Sequence, residues 1–306
     1  MENRKQILCL DGGGIRGLAV AHFLNQAELE FGRRAVDVFD LFSGTSIGAI
    51  VTMTLVANRM SAKELIDIAV NKEDIETIFD TPSLISRWTY SGPKHTGLGK
   101  RKVIDKWIPH MECKDLFKPI CIPTYDYTNA TPKLYGSFTP DVAVRDIVDA
   151  SSAAPLYFPP VKMPLTNNWE GDGGIFANNP SMIGILEGKR LWGDFENIHV
   201  LSIGTGIPDS RINGEEACGW GPLSWYNHNI IDIIMNSPMS MVKENCNRLI
   251  GDRYVRIDAD LKEYNVSEVL DDYSDDTIKK IDQMGVDMFQ KNRDIIAPFF
   301  TSSPPS

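Results

Sequence analysis

The sequence is short of the features that most often reveal a protein's setting. No apolar run reaches the roughly 18 residues that a membrane-spanning helix needs. The opening MENRKQILCLDGGG has no signal-peptide core, because glycines interrupt its apolar run at once, so a cytoplasmic location is expected. The five cysteines (Cys9, Cys113, Cys121, Cys218, Cys246) include no CxxC pair and are odd in number. That argues against a disulfide framework or a zinc knuckle and fits reduced thiols. His, Cys and carboxylate residues nowhere gather at ligand spacing, so neither a metal nor a cofactor is expected. With a net charge of −10 the chain lacks the basic face that phosphate contact requires, which excludes a general binder of nucleic-acid polymers. Repeats and linkers are missing too, and only the closing TSSPPS reads as a loose tail.

What is present is alternation. QILCL, VDVFDLFSG, PICIPTYDYT, KLYGSF and NIHVLSIGTG read as strands. IRGLAVAHFLNQAELEFG has helical spacing at Leu18, Phe23, Leu24 and Leu29 and stops at Gly32. A helix is expected from Ser46 to Asn58, and Ser61 with Glu64 forms a capping box for the next. Further helices are expected at DVAVRDIVDA, NPSMIGILEGKRLW, IIDIIMNSPMSMVKENCNRLI and TIKKIDQMGVDMFQKN. Strand–helix alternation implies an α/β three-layer sandwich, a largely parallel central sheet with helices on both faces. In such sheets ligands sit beyond the carboxyl ends of the strands.

Three loops stand at such ends. DGGGIRG, Asp11 to Gly17, places bare backbone N–H groups near a helix N-terminus, which suits a negative charge. Gly12, Gly14 and Gly17 also match a dinucleotide fingerprint, with Asp37 20 residues on as a ribose ligand. An oxyanion hole and a dinucleotide cradle are both open at this point. GTSIG is a nucleophile elbow: Ser46 on a tight strand-to-helix turn, with Gly44 and Gly48 where a side chain would crowd it. The third loop, NWEGDGGIFANNP, sets Asp172 before Gly173 and Gly174. A carboxylate touching a serine hydroxyl can act as its base without a histidine, once burial raises its pKa. Among the histidines, His22, His95 and His110 lie elsewhere, and His199 begins its strand at the far end of the sheet. His228 is the one candidate for a Ser–His–Asp triad.

DGGGIRG, GTSIG and DGG in this order resemble the patatin-like phospholipase family. So do IPTYDYTNATPKLY, DASSAAPLYFPPV and LSIGTG. The resemblance covers residues 7–206; residues 207–306 are expected to continue the same domain. It implies a lipid acyl hydrolase that releases fatty acids from glycerophospholipids through an acyl-enzyme. Ser46 would be the nucleophile, Asp172 the base, Gly12, Gly13 and Gly14 the oxyanion hole, and Arg16 a brace for that loop. The family's third motif is DGG or DGA, so DGG fits. Compact bacterial members of this size resemble antiviral-defence effectors, which implies a cyclic-nucleotide activator. The alternatives are a dinucleotide-binding oxidoreductase and a non-catalytic lipid-binding module.

Substrate at a membrane implies transient contact with its surface. PKHTGLGKRKVIDKW, with Lys94, Lys100, Arg101, Lys102, Lys106 and Trp107, is the expected docking segment, together with Trp88 and Tyr90 just before it. GEEACGWGPLSWY is read as a lid over the acyl channel or a surface loop.

Overall fold

The computed structural model describes residues 4–80, 92–209, 211–227 and 230–301. At its centre is β1, Lys5–Leu10, whose residues from Ile7 to Leu10 are fully buried. Side chains alternate across a strand, so β1 feeds two cores. Leu8 and Leu10 point into the larger one, with Phe23 of the helix Gly17–Phe31, Met53 of the helix Ile47–Asn58 and Met288 of the helix Asp275–Thr301. Ile7 and Cys9 point the other way, to Ile185 of the helix Ser181–Trp192 and to Cys246 of the helix Ile230–Ile250. Helices therefore cover both faces, and the three-layer α/β arrangement read from the sequence is the one found.

The remaining strands are β2 (Leu41–Gly44), β3 (Ile120–Asp126), β4 (Thr131–Gly136), β5 (Val161–Lys162), β6 (Trp169–Asp172), β7 (Ile198–Ile203) and β8 (Tyr254–Ile257). They run in the order β5-β6-β3-β2-β1-β7-β8, with β4 added to β3. The strands β3, β2, β1, β7 and β8 are parallel; β4 and β6 run against β3.

One feature of β3 decides where the site lies. β4 covers one edge of β3 from Cys121 to Asp126. The other edge is shared: β2 takes Ile120 and Cys121, and β6 takes Thr124 to Asp126 from the opposite direction. The carboxyl ends of β2 and β6 thus face each other across a short gap. Ser46 follows the one and Asp172 ends the other.

Several elements differ from the sequence reading. Of VDVFDLFSG only Leu41–Gly44 is strand, because Ala35–Val38 makes a helical turn and Gln6 binds the Val38 carbonyl and the Asp40 carboxylate. Leu29, placed on the apolar face, is 71% exposed. The helix at Ser61 has both hydrogen bonds of its capping box, and the helix Gly17–Phe31 ends at Gly32 in the left-handed conformation. No helix among the described residues is long and apolar enough to cross a membrane.

Candidate active site

Ser46 sits between β2 and the helix Ile47–Asn58 at φ 55°, ψ −121°. A non-glycine residue there costs about 1–3 kcal/mol and persists only where its surroundings hold it. Here they do. A Cβ on Gly44 would overlap the Gly48 carbonyl, and one on Gly48 would overlap the carbonyl of Leu10, so the turn closes only with glycine at both places. Thr45 Oγ1 donates to the Ala177 carbonyl at 2.7 Å, and the Ser46 N–H donates to Ser151 Oγ at 3.3 Å.

Asp172 is 1% exposed. Burial pushes its pKa up to about 6, against the pull of the Ser46 hydroxyl, the Gly174 N–H and the Lys100 cation. The Gly174 N–H donates to Oδ1 at 2.7 Å. Ser46 stands close enough to hold the carboxyl down, yet short of full hydrogen-bond geometry, and Oδ2 is buried without a partner. A buried lone acceptor beside a strained hydroxyl is an arrangement that can take that hydroxyl's proton.

The glycine loop lies over the pair: a Cβ on Gly12 would stand 3.1 Å from that of Ser46. The loop is tied from below by a buried charge cluster. Arg256 donates to both oxygens of Asp11, at 2.8 and 2.5 Å, and to Asp258 at 2.5 Å. Thr205 Oγ1 donates to the Gly12 carbonyl at 2.6 Å. Arg16 is 5% exposed and donates to the Glu268 carbonyl at 2.8 Å, joining the loop to the C-terminal part of the chain. The Gly12 N–H donates to the Asn178 carbonyl at 3.1 Å. The expectation of three free donors therefore narrows: the N–H groups of Gly13 and Gly14 are the ones with no partner among the described residues.

An apolar cavity opens between these loops. Ser46, Asp172 and Gly13 line it at one side, and Ile50, Leu65, Ile75 and Trp107 continue its wall. Pro208 and Leu270 complete it at the glycine loop.

Other expected residues stand elsewhere. His199 pairs with Gln6 near the start of β7, and burial with Arg4 and Arg253 nearby lowers its pKa to about 4. His22 faces Asp282, and His95 is buried against Asp271. His228, Trp88 and Tyr90 lie outside the described residues. Asp37 precedes β2 and binds Arg34, at the opposite end of the sheet from the glycine loop that follows β1, so it cannot serve a nucleotide bound there.

The basic segment is not the open positive face expected of it. Lys94 pairs with Asp271, Arg101 with Asp146 and Lys106 with Asp74, and Lys100 is only 2% exposed. Trp107 lines the cavity and donates to Asp74. The aromatic stretch after residue 213 makes the short helices Gly214–Ala217 and Pro222–Asn227, with Trp220 against Trp225. Within 214–225 no residue lines the cavity, so the lid over an acyl channel is not found there.

The fold and these loops are those of a lipid acyl hydrolase. Residues 8–185 match the family model of the patatin-like phospholipases, and the chain belongs to that family. It is 29% identical to patatin-like protein 1 of Arabidopsis thaliana, over 85% of this chain and 76% of that one. It is 30% identical to a cGAMP-activated phospholipase of Pseudomonas aeruginosa, over 82% of this chain and 77% of the relative. Its fold is similar to that of VipD from Legionella pneumophila, with a TM-score of 0.52 at 15% identity, over 96% of this chain and 67% of the other.

Proposed function

We propose that this patatin-like hydrolase cleaves fatty acyl esters of glycerophospholipids through Ser46 and Asp172. The observation that carries the reading is the strained Ser46 beside the buried, half-partnered Asp172 at the mouth of an apolar cavity. Asp172 accepts the Ser46 proton as Oγ attacks the ester carbonyl. The Gly13 and Gly14 N–H groups receive the developing oxyanion, an interaction typically worth about 2.7–4 kcal/mol per donor. The proton passes to the leaving alcohol, and an acyl-enzyme remains. Water, deprotonated by Asp172, then releases the fatty acid and restores Ser46. The acyl chain occupies the cavity lined by Ile50, Leu65 and Ile75. The enzyme meets its substrate by transient contact with a membrane surface. A cyclic nucleotide is a fitting activator, since the Pseudomonas aeruginosa relative is named for activation by cGAMP.

The test is fatty-acid release from phosphatidylglycerol and phosphatidylcholine vesicles, with and without cyclic dinucleotides, beside fluorophosphonate labelling of Ser46. Because burial raises Asp172 to about 6, kcat/KM should climb as pH passes through about 6 and level off above it. Absence of labelling together with absence of release under every condition would leave only a lipid-binding module.

A further inference from the structure

We propose that Lys100 is a positioning residue for the dyad: it pins the segment from which both Ser46 and Asp172 hang, and its buried charge favours the ionised base. The inference rests on the Ser46–Asp172 reading.

Lys100 lies on the helix Leu98–Trp107, in a stretch whose composition suggests a solvated basic face. Its ammonium is instead turned inward and almost wholly buried. Nζ donates to the Asp149 carbonyl at 2.5 Å and to Ser152 Oγ at 3.1 Å, and it lies 3.0 Å from Asp149 Oδ1. The Phe158 ring stands 5.0 Å away. Three of these four contacts fall on the last turn of the helix Val144–Ser151 and the residue after it. A cation at a helix carboxyl end is favourable, because the terminal carbonyls there lack intrahelical donors.

That helix end is the part of the fold that touches both reacting groups. Ser151 Oγ accepts the Ser46 N–H at 3.3 Å and donates to the Pro123 carbonyl at 2.8 Å. Two residues on, the Ala153 carbonyl accepts the Asp172 N–H at 3.1 Å. A shift of residues 149–153 would therefore move the nucleophile and the base together. Ser152 also lines the cavity.

The charge has a direct effect as well. Lys100 pulls the Asp172 pKa down against burial, and Asp172 in turn acts on Lys100. The ionisable groups around the two are few. Asp149 and Arg101 face Lys100, with Asp146 behind Arg101. Tyr127 faces Asp172 from beyond β3. A nearby opposite charge typically moves a carboxyl by about 1–3 pH units; Lys100 is the weakest of the influences on Asp172 and shares its charge with Asp149, so the low end of that range applies.

The experiment compares the wild type with Lys100→Met and with the double variant Lys100→Met, Asp149→Asn. The double variant removes the buried pair together and so leaves no lone carboxylate to unfold the protein. Rates of release from a soluble short-chain thioester are measured from pH 5 to 9, beside thermal melting. The expected result is an acid limb moved up by about one pH unit in the folded double variant. Its rate relative to wild type is then about fivefold lower at pH 6 than at pH 8, a dependence that mere loosening of the fold would not produce. A folded double variant whose limb coincides with the wild type overturns the inference and leaves the dyad reading intact. If Ser46→Ala retains full activity, both fall.

Discussion

Asp172→Asn is expected to lower kcat by about 10²–10⁴-fold, the usual cost of losing a general base. The substitution keeps the shape of the side chain. Its amide oxygen can still accept the Gly174 N–H that now binds Oδ1 at 2.7 Å. What it removes is the acceptor at Oδ2, which in the native protein has no other partner. Ser46→Ala is expected to be comparably inactive, and the double variant hardly worse, because the two groups act as one unit. His228→Ala should leave turnover within a few-fold.

Stability should move the other way. Asp172 has a folded pKa of about 6, raised from 3.8 by burial. Such a group favours the folded state at low pH, and that contribution is lost as pH rises through the folded value. Above pH 6 the native protein therefore holds a carboxylate at a cost, and asparagine relieves it. Asp172→Asn should melt no lower than wild type at pH 8, and higher if the relief is felt in full. Melting curves at pH 5 and pH 8, set beside the rates, check both signs. An Asp172→Asn enzyme within tenfold of wild-type kcat, with His228→Ala inactive, would demand a triad instead.

How much of this was legible in the sequence depends on how local each determinant is. GTSIG announces its own turn, because the glycines that let it close lie two residues either side of Ser46. DGGGIRG does the same at the end of β1. β6, by contrast, is four residues of Trp-Glu-Gly-Asp, with little strand propensity of its own. It is a strand because Thr124–Asp126 offers it the free part of an edge. The basic segment was misjudged for a related reason. The residue types alone show that Lys94, Lys100 and Lys106 carry charge, but their carboxylate partners are distant in sequence: Asp271, Asp149 and Asp74. Only the fold brings them together, burying Lys100 and pairing the half-exposed Lys94 and Lys106 with buried carboxylates. The Gly12 N–H is likewise taken by Asn178, a residue from another loop.

Arg256→Met is expected to destabilise the protein by about 3–5 kcal/mol, the range for breaking a buried ion pair from one side. In a chain of this size that lowers the melting temperature by roughly 5–8 °C. Arg256 comes from β8, beyond the part matched by the family model, and no local motif marks it. Its guanidinium nevertheless bridges Asp11 at the root of the glycine loop and Asp258, whose Oδ1 accepts the Gly206 N–H at 3.0 Å. Methionine fills similar space but leaves Asp11 and Asp258 buried without their common cation. The loss has a pH signature. Burial already raises Asp11 to about 6, although Arg256 draws it down. Without Arg256 it must rise further, so the folded variant keeps Asp11 protonated while the unfolded chain releases that proton near pH 4. Stability of the variant then goes on falling above pH 6, where the wild type has levelled with respect to this group. The melting-temperature gap between the two should be wider at pH 8 than at pH 5. Adding Asp11→Asn to Arg256→Met should remove most of that widening, because the neutral amide has no proton to lose. A gap of equal size at both pH values, or a melting temperature within about 2 °C of wild type throughout, would mean that Asp11 and Arg256 do not depend on one another in the folded protein. The glycine loop would then owe its position to Thr205, Asn178 and the Arg16 tie to Glu268.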